Sequence, residues 1–191
     1  MRHVKLQAGN AALDFVTKDI YGNDVKLSDY RGKKIILSFY RNVSCPFCNR
    51  RVHQIMGSNV KLKNAGVQLL FLFESSNEKL SSSVFHQGIS PWPLIGDPDK
   101  NIYKKYGVEQ STLKMMKTML VANVGQAKKD TKDLNLPADK DASMNLIPAD
   151  FFIDENFKIV KAHYGKHLDD HVDIEELKVF ADIANNFRKA I

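Results

Sequence analysis

The chain has 191 residues, of which 43% are hydrophobic and 26% charged, enough apolar material for one domain with a full core and too little length for two. Its formal net charge of +6 is spread among acids, as along residues 97–105 and 169–178, and no aromatic-plus-basic motif accompanies it, so a solvated surface is expected and nucleic-acid binding is not. Two cysteines are too few for a disulfide-stapled secreted domain, and neither a signal peptide nor a membrane-length apolar run is present, so a cytoplasmic protein is expected.

Residues 15–27 read as two short extended arms around a Tyr21-Gly22-Asn23-Asp24 turn. Residues 34–40, K-I-I-L-S-F-Y, are a continuous apolar run of the kind that fills a strand covered on both faces. A helix is expected from Pro46, where the missing N–H costs nothing, to the stop signal Asn64-Ala65-Gly66. Its buried face should hold Phe47, Val52, Ile55, Met56 and Val60. Residues 67–73, V-Q-L-L-F-L-F, repeat the central-strand pattern, and residues 99–106 predict a short helix ended by Gly107.

Residues 111–146 exceed what a minimal domain needs. A Met-rich stretch, L-K-M-M-K-T-M-L, and a Lys/Asp-rich run predict an insertion with one helix and a long loop. Leu113, Met116, Met119 and Leu120 are expected to pack onto the sheet, since methionine fills irregular gaps; a cover over the thiols or a partner-binding surface is the alternative. Residues 151–160 predict a hairpin turning at Asp154-Glu155-Asn156 and returning over 159–163. Residues 175–190 predict a closing helix with Leu177, Phe180, Ile183, Ala184 and Phe187 on one face. Strands alternating with helices give an α/β class.

Both cysteines lie in S-C-P-F-C-N-R-R, residues 44–51, between a central strand and its helix. There the free backbone N–H groups and the positive end of the helix dipole favour a thiolate, so a lowered pKa is expected. Arg41, Arg50 and Arg51 bring positive charge, although the last two are free to point to solvent. Cys48, one turn after Cys45, can close a reversible disulfide with it. A zinc site would need two further ligands from His3, His53, His86, His163, His167 and His171, and the spaced pair His167/His171 lies far along the chain. A third possibility is two small core residues. Trp92 and Tyr40 read as packing residues, Phe47 as a shield for the disulfide or an exposed ring, and His53 as off the thiol face. No haem, flavin or nicotinamide motif is present, so no cofactor is expected and electrons should arrive from another dithiol protein.

Taken together, A-A-L-D-F, D-I-Y-G-N-D-V-K-L-S-D-Y-R-G-K-K-I-I-L-S-F-Y, C-P-F-C, P-W-P-L-I-G-D-P-D-K-N-I-Y-K-K-Y-G-V and I-P-A-D-F-F-I-D resemble the AhpC/TSA superfamily, the peroxiredoxins and their thiol-disulfide relatives. The resemblance runs over nearly the whole chain. It implies one thioredoxin-like domain over residues 1–191, with a central mixed β-sheet flanked by helices, an N-terminal β-hairpin and an insertion before the late strands. The peroxiredoxin signature P-x-x-x-T-x-x-C falls on residues 41–48: Cys48 takes the peroxidatic position, Cys45 replaces the threonine and Arg41 the proline. Asn145-Leu146-Ile147-Pro148 stands where the family places a distal arginine. Ile147-Pro148-Ala149 resembles the thioredoxin cis-proline segment, which presents backbone to a disulfide partner; a plain strand-start proline is the other reading. A C-P-x-C branch of the family shares the preceding arginine, the insertion and a late Asp-His, here Asp170-His171. That histidine is expected to be a surface residue at a helix start rather than a proton-transfer group.

With the family's threonine and distal arginine absent, the favoured expectation is a dithiol/disulfide oxidoreductase with an antioxidant role. Cys45 would attack, Cys48 would resolve, and a thioredoxin- or glutaredoxin-like protein would supply electrons. In the alternative, a hydroperoxide reductase, Cys48 forms a sulfenic acid that condenses with Cys45, and Arg41 and the helix N–H groups stabilise the developing charge. A non-catalytic redox sensor or partner-binding protein on the same scaffold is the third reading. The expected site is Cys45, Cys48, Arg41 and Pro148, with no metal, no nucleic acid and no membrane; monomer or homodimer stays open.

Overall fold

In the computed structural model, which describes residues 5–89 and 91–183, the chain opens on a hairpin of β1 (Val16–Lys18) and β2 (Asp24–Lys26). The Asp19 carboxylate holds its turn, accepting from the Tyr21 and Asn23 backbone N–H groups at 2.9 Å each. A short 3-10 turn, Leu27–Tyr30, leads to β3 (Ile35–Phe39), α1 (Pro46–Met56), α2 (Asn59–Asn64), β4 (Gln68–Phe73), α3 (Asn77–Ser81), α4 (Val84–Gln87), β5 (Leu94–Gly96) and α5 (Asn101–Lys105). Then come α6 (Thr112–Val121), α7 (Val124–Asp130), β6 (Ala149–Ile153), β7 (Ile159–Tyr164) and α8 (Ile174–Phe180).

Five strands form one mixed sheet in the order β5-β4-β3-β6-β7. β3, β4 and β5 run parallel, while β6 is antiparallel to both β3 and β7. Leu37 at the centre sits opposite Leu70 on one side and Phe151 on the other. Every side chain of β3 is buried, which explains why its sequence is continuously apolar rather than alternating. Ile36 and Tyr40 meet Phe47, Val52, Ile55 and Leu177 on one face. Ile35, Leu37 and Phe39 meet Phe15, Val25, Ile102 and Tyr106 on the other. β3 and β4 both end at the edge where α1 begins, the end of an α/β sheet at which sites form.

Three expectations change. The helix expected over 46–65 is two helices, broken at Gly57-Ser58, where the Ser58 N–H turns back to Ile55 O at 2.9 Å. The reorientation buries Leu62 and leaves Val60 at 72% exposed, so Val60 does not belong to the buried face. The insertion carries two helices and a 3-10 turn, Lys132–Leu134, rather than one helix and a loop. Its Leu113, Met116, Met119 and Leu120 do not pack onto the sheet; all four are exposed. α6 is seated instead by Met115, which packs against the core, and by polar contacts: Thr118 Oγ1 accepts from the Leu168 N–H at 2.9 Å, and Lys114 Nζ donates to Gly165 O at 2.8 Å. The closing helix begins at Ile174, and the predicted contacts of Ala184 and Phe187 lie outside the described residues.

Candidate active site

β3 delivers the chain through Tyr40 and Arg41 into a loop fixed by local hydrogen bonds. Asn42 Oδ1 accepts from the Ser44 N–H and hydroxyl at 3.1 and 2.7 Å. Buried Asn49 donates from Nδ2 to Val43 O and Cys45 O at 2.8 and 2.9 Å. These bonds set Cys45 at the N-cap of α1, with Pro46 in the first turn, and Cys45 Sγ accepts from the Cys48 N–H at 3.4 Å.

The two sulfurs lie 2.8 Å apart, and the residues are 3% and 0% exposed. Arg41 reaches both: its Nη1 is 3.6 Å from Cys45 Sγ, and its backbone N–H is 3.4 Å from Cys48 Sγ. The guanidinium also donates to Ser143 O at 3.3 Å, which ties the insertion to the thiol couple. Burial opposes a thiolate at Cys45, but the Cys48 thiol, the Arg41 charge and the N–H groups of Cys48 and Phe47 outweigh it and bring Cys45 down to about 7. At Cys48 burial comes first and the Cys45 neighbour second, and both push the thiol well above its ordinary value. Near neutral pH Cys45 is therefore the sulfur that ionises, while Cys48 keeps its proton.

Beneath α1 lies a buried polar cluster. Asp150, opposite Ser38 on β3, accepts from His171 Nδ1 and the Val172 N–H at 3.0 Å each. Arg51 donates to Val172 O. Burial raises a carboxylate's pKa, yet His171, Arg51 and Ser38 outweigh it and hold Asp150 well below the usual range. The His171 ring packs on Tyr40 with centroids 5.0 Å apart.

The expected surface histidine is thus corrected: the His171 side chain is 4% exposed because Asp150 draws it under the helix. Arg51 and Phe47 are likewise buried rather than solvent-facing. Arg50 sits between Asp169 and Asp130, at 2.6 and 3.5 Å, and joins α1 to α7. Trp92 is a core residue whose indole N–H donates to Asn59 Oδ1 at 2.6 Å, and His53 packs on Phe85, away from the thiols.

Of the four expected site residues, Cys45, Cys48 and Arg41 converge. Pro148 is buried just before β6, where its carbonyl accepts from the Gly165 N–H at 2.9 Å; no hydrogen bond joins it to the cysteines among the described residues. Sequence reasoning missed Ser143, whose backbone contact leaves no mark in sequence, and Asp150, which does leave one: a charge inside the apolar strand A-D-F-F-I needs a partner. Among the described residues, no three His, Cys, Asp or Glu side chains stand close enough to share a metal ion, and no helix is long and apolar enough to cross a membrane.

The model of the AhpC/TSA family matches residues 8–162. A putative peroxiredoxin of Mycobacterium tuberculosis is 27% identical over 168 residues, 88% of this chain and 91% of that one. The peroxiredoxin Bcp of Escherichia coli is 29% identical over 103 residues, 54% of this chain and 65% of its own length. Among solved structures, the peroxidoxin BcpB of M. tuberculosis superposes with a TM-score of 0.65 at 16% identity, covering 93% of this chain and 97% of that one. A putative thiol:disulfide interchange protein DsbE of Chlorobium tepidum gives 0.60 at 20% identity, covering 93% and 99%. At those identities the superpositions speak for a shared thioredoxin-like fold.

Proposed function

This chain belongs to the AhpC/TSA family, and from that premise we propose that it is a dithiol/disulfide oxidoreductase in which Cys45 attacks and Cys48 resolves. Its chemistry is thiol-dependent oxidation and reduction. The observation that carries the assignment is the placement of one guanidinium: Arg41 faces Cys45 Sγ at 3.6 Å, and Cys48 is the more deeply buried of two sulfurs 2.8 Å apart.

Cys45 as thiolate attacks one sulfur of a substrate disulfide. The substrate S–S bond breaks, the departing thiolate takes a proton from water, and a mixed disulfide remains on Cys45. Cys48 then loses its proton to solvent and attacks the Cys45 sulfur, which frees the second substrate thiol and leaves the protein disulfide. Two electrons pass from the protein to the substrate, and a thioredoxin- or glutaredoxin-like dithiol protein returns them. Pro148, at the head of β6, is placed by this reading beside the incoming disulfide.

Peroxiredoxin relatives keep one second reading in view, with Cys48 attacking a hydroperoxide. The test compares wild type with Cys45→Ser and Cys48→Ser by intact mass and stopped-flow tryptophan fluorescence. Wild type should reduce a protein disulfide while reacting slowly with hydrogen peroxide, and Cys48→Ser should trap a mixed disulfide through Cys45. Fast peroxide oxidation of Cys45→Ser, with a sulfenic acid on Cys48, would replace the proposed assignment by the peroxidase.

A further inference from the structure

Glu74 stands just past β4 with its N–H on Arg41 O at 2.7 Å. Its side chain is 2% exposed, yet neither carboxylate oxygen has a hydrogen-bond partner. Lys100 Nζ stands 3.6 Å from Oε2 and donates instead to Pro98 O at 3.3 Å. A buried carboxylate is costly unless donors satisfy it.

Glu74 is among the residues that line a cleft of about 350 Å³, with Ser75, Lys79, Asp139 and Asp141, and its two oxygens lie just beneath that surface. The rest of that lining is satisfied: Lys79 is shared by Asp139 and Asp141 at 2.6 and 2.8 Å, and the Ser75 hydroxyl donates to Asp139 at 2.5 Å. A group with N–H donors would satisfy the two unpartnered oxygens of Glu74. Neither cysteine lines the cleft, but two short links join it to them. Ser75 Oγ accepts from the N–H of Val43 at 2.8 Å, and Val43 is two residues, at most about 7 Å of chain, from Cys45. Ala142 lines the cleft, and its neighbour Ser143 accepts from the guanidinium that faces Cys45.

We propose that this cleft seats the α-ammonium-carboxylate end of a low-molecular-weight disulfide, its ammonium on Glu74 and its carboxylate toward Lys100, with the disulfide bond reaching Cys45. One acid and one base 3.6 Å apart match two opposite charges carried on a single carbon, which a peptide side chain does not offer. The inference rests on the disulfide-reductase reading and names its substrate class. Each turnover breaks one substrate S–S bond, forms the Cys45–Cys48 disulfide and releases two thiols, each taking one proton.

Single-turnover reduction by the pre-reduced protein tests it with four probes: cystine, glutathione disulfide, cystamine (ammonium without carboxylate) and the uncharged bis-hydroxyethyl disulfide. Glu74→Gln should lower the ratio of the cystine rate to the bis-hydroxyethyl disulfide rate roughly tenfold, the size expected for one charge-assisted hydrogen bond. Lys100→Gln should lower the cystine rate relative to cystamine. Whichever of cystine and glutathione disulfide shows the larger Glu74 effect identifies the source of the zwitterionic end. In parallel, unreactive S-methylcysteine titrated into wild type should shift the amide resonances of Ser75 and Ser76. If no disulfide is reduced but those amides shift, the reductase reading fails and the cleft stands as a zwitterion site. Unchanged rate ratios in both variants, with no amide shift, overturn the inference.

Discussion

The two faces of the sheet treat buried polar groups in opposite ways. On the face that carries α5, Tyr103 donates its hydroxyl to Tyr40 O and Leu72 O at 2.6 and 3.0 Å, and Tyr106 donates to Leu13 O at 2.8 Å. On the face that carries α1, Tyr40 Oη, Asn49 Oδ1, Arg51 Nε, His171 Nε2 and both ring nitrogens of His86 are buried without a hydrogen-bond partner. Each such group costs about 1–3 kcal/mol. The α5 face is the better satisfied, with the two oxygens of Glu74 beside Lys100 as its exception. The other gives up some stability around its thiols, as sites of chemistry commonly do.

The widest separation between the faces should come from Phe151→Ala. Phe151 is fully buried on the α5 side, edge-on to Phe39, Tyr106 and Tyr164 at 5.7, 5.1 and 5.4 Å. Its truncation should cost about 4 kcal/mol in urea unfolding while the pH midpoint of Cys45 alkylation stays near 7. A shifted midpoint would show that the faces are coupled.

His86 should sharpen the contrast from the other side. Packed between Phe73 and Phe85, it is held by burial at about 4, below the ordinary histidine value. Between that pH and about 6.5 the unfolded chain binds the proton that the folded chain refuses, so stability rises with pH and is lost on acidification, by about 3 kcal/mol across the window. Urea midpoints of His86→Leu should lose that slope. Asp150, depressed rather than raised, contributes its own acid loss only below about pH 4, so a slope that persists in the variant between 4.5 and 6.5 assigns the window to another group.

Arg41→Gln should give the smallest of the three effects. Without the guanidinium, the Cys45 midpoint should rise from about 7 by roughly one unit, read as thiolate absorbance or iodoacetamide rate against pH. An unmoved midpoint would leave the helix N-terminus and the Cys48 thiol as what sustains the thiolate.

Much of this arrangement is legible in the sequence where one local pattern has one physical outcome. K-I-I-L-S-F-Y and V-Q-L-L-F-L-F become the central strands because only a doubly covered strand tolerates such runs. C-P-F-C after a strand becomes a helix N-terminus, because proline costs nothing there. Where two outcomes share a pattern, the sequence is silent. The spacing in α6 marks two faces but does not say that Lys114, Met115 and Thr118, rather than Met116 and Met119, turn inward. Gly57-Ser58 permits a break without requiring one. His171 is buried by a carboxylate 21 residues away on β6, a pairing that only the strand register creates.

The depth of the thiols also sets a clock. With Cys45 at 3% and Cys48 at 0% exposed, and with Arg41 tethered to Ser143 O across the couple, the proposed attack by Cys45 requires the couple to open locally, even with a disulfide held in the neighbouring cleft. Under that proposal the frequency of opening, rather than encounter in solution, sets the ceiling on turnover. The segment around Ser143 then acts on the reaction through time, by how often it lets go, although it contributes no reacting atom.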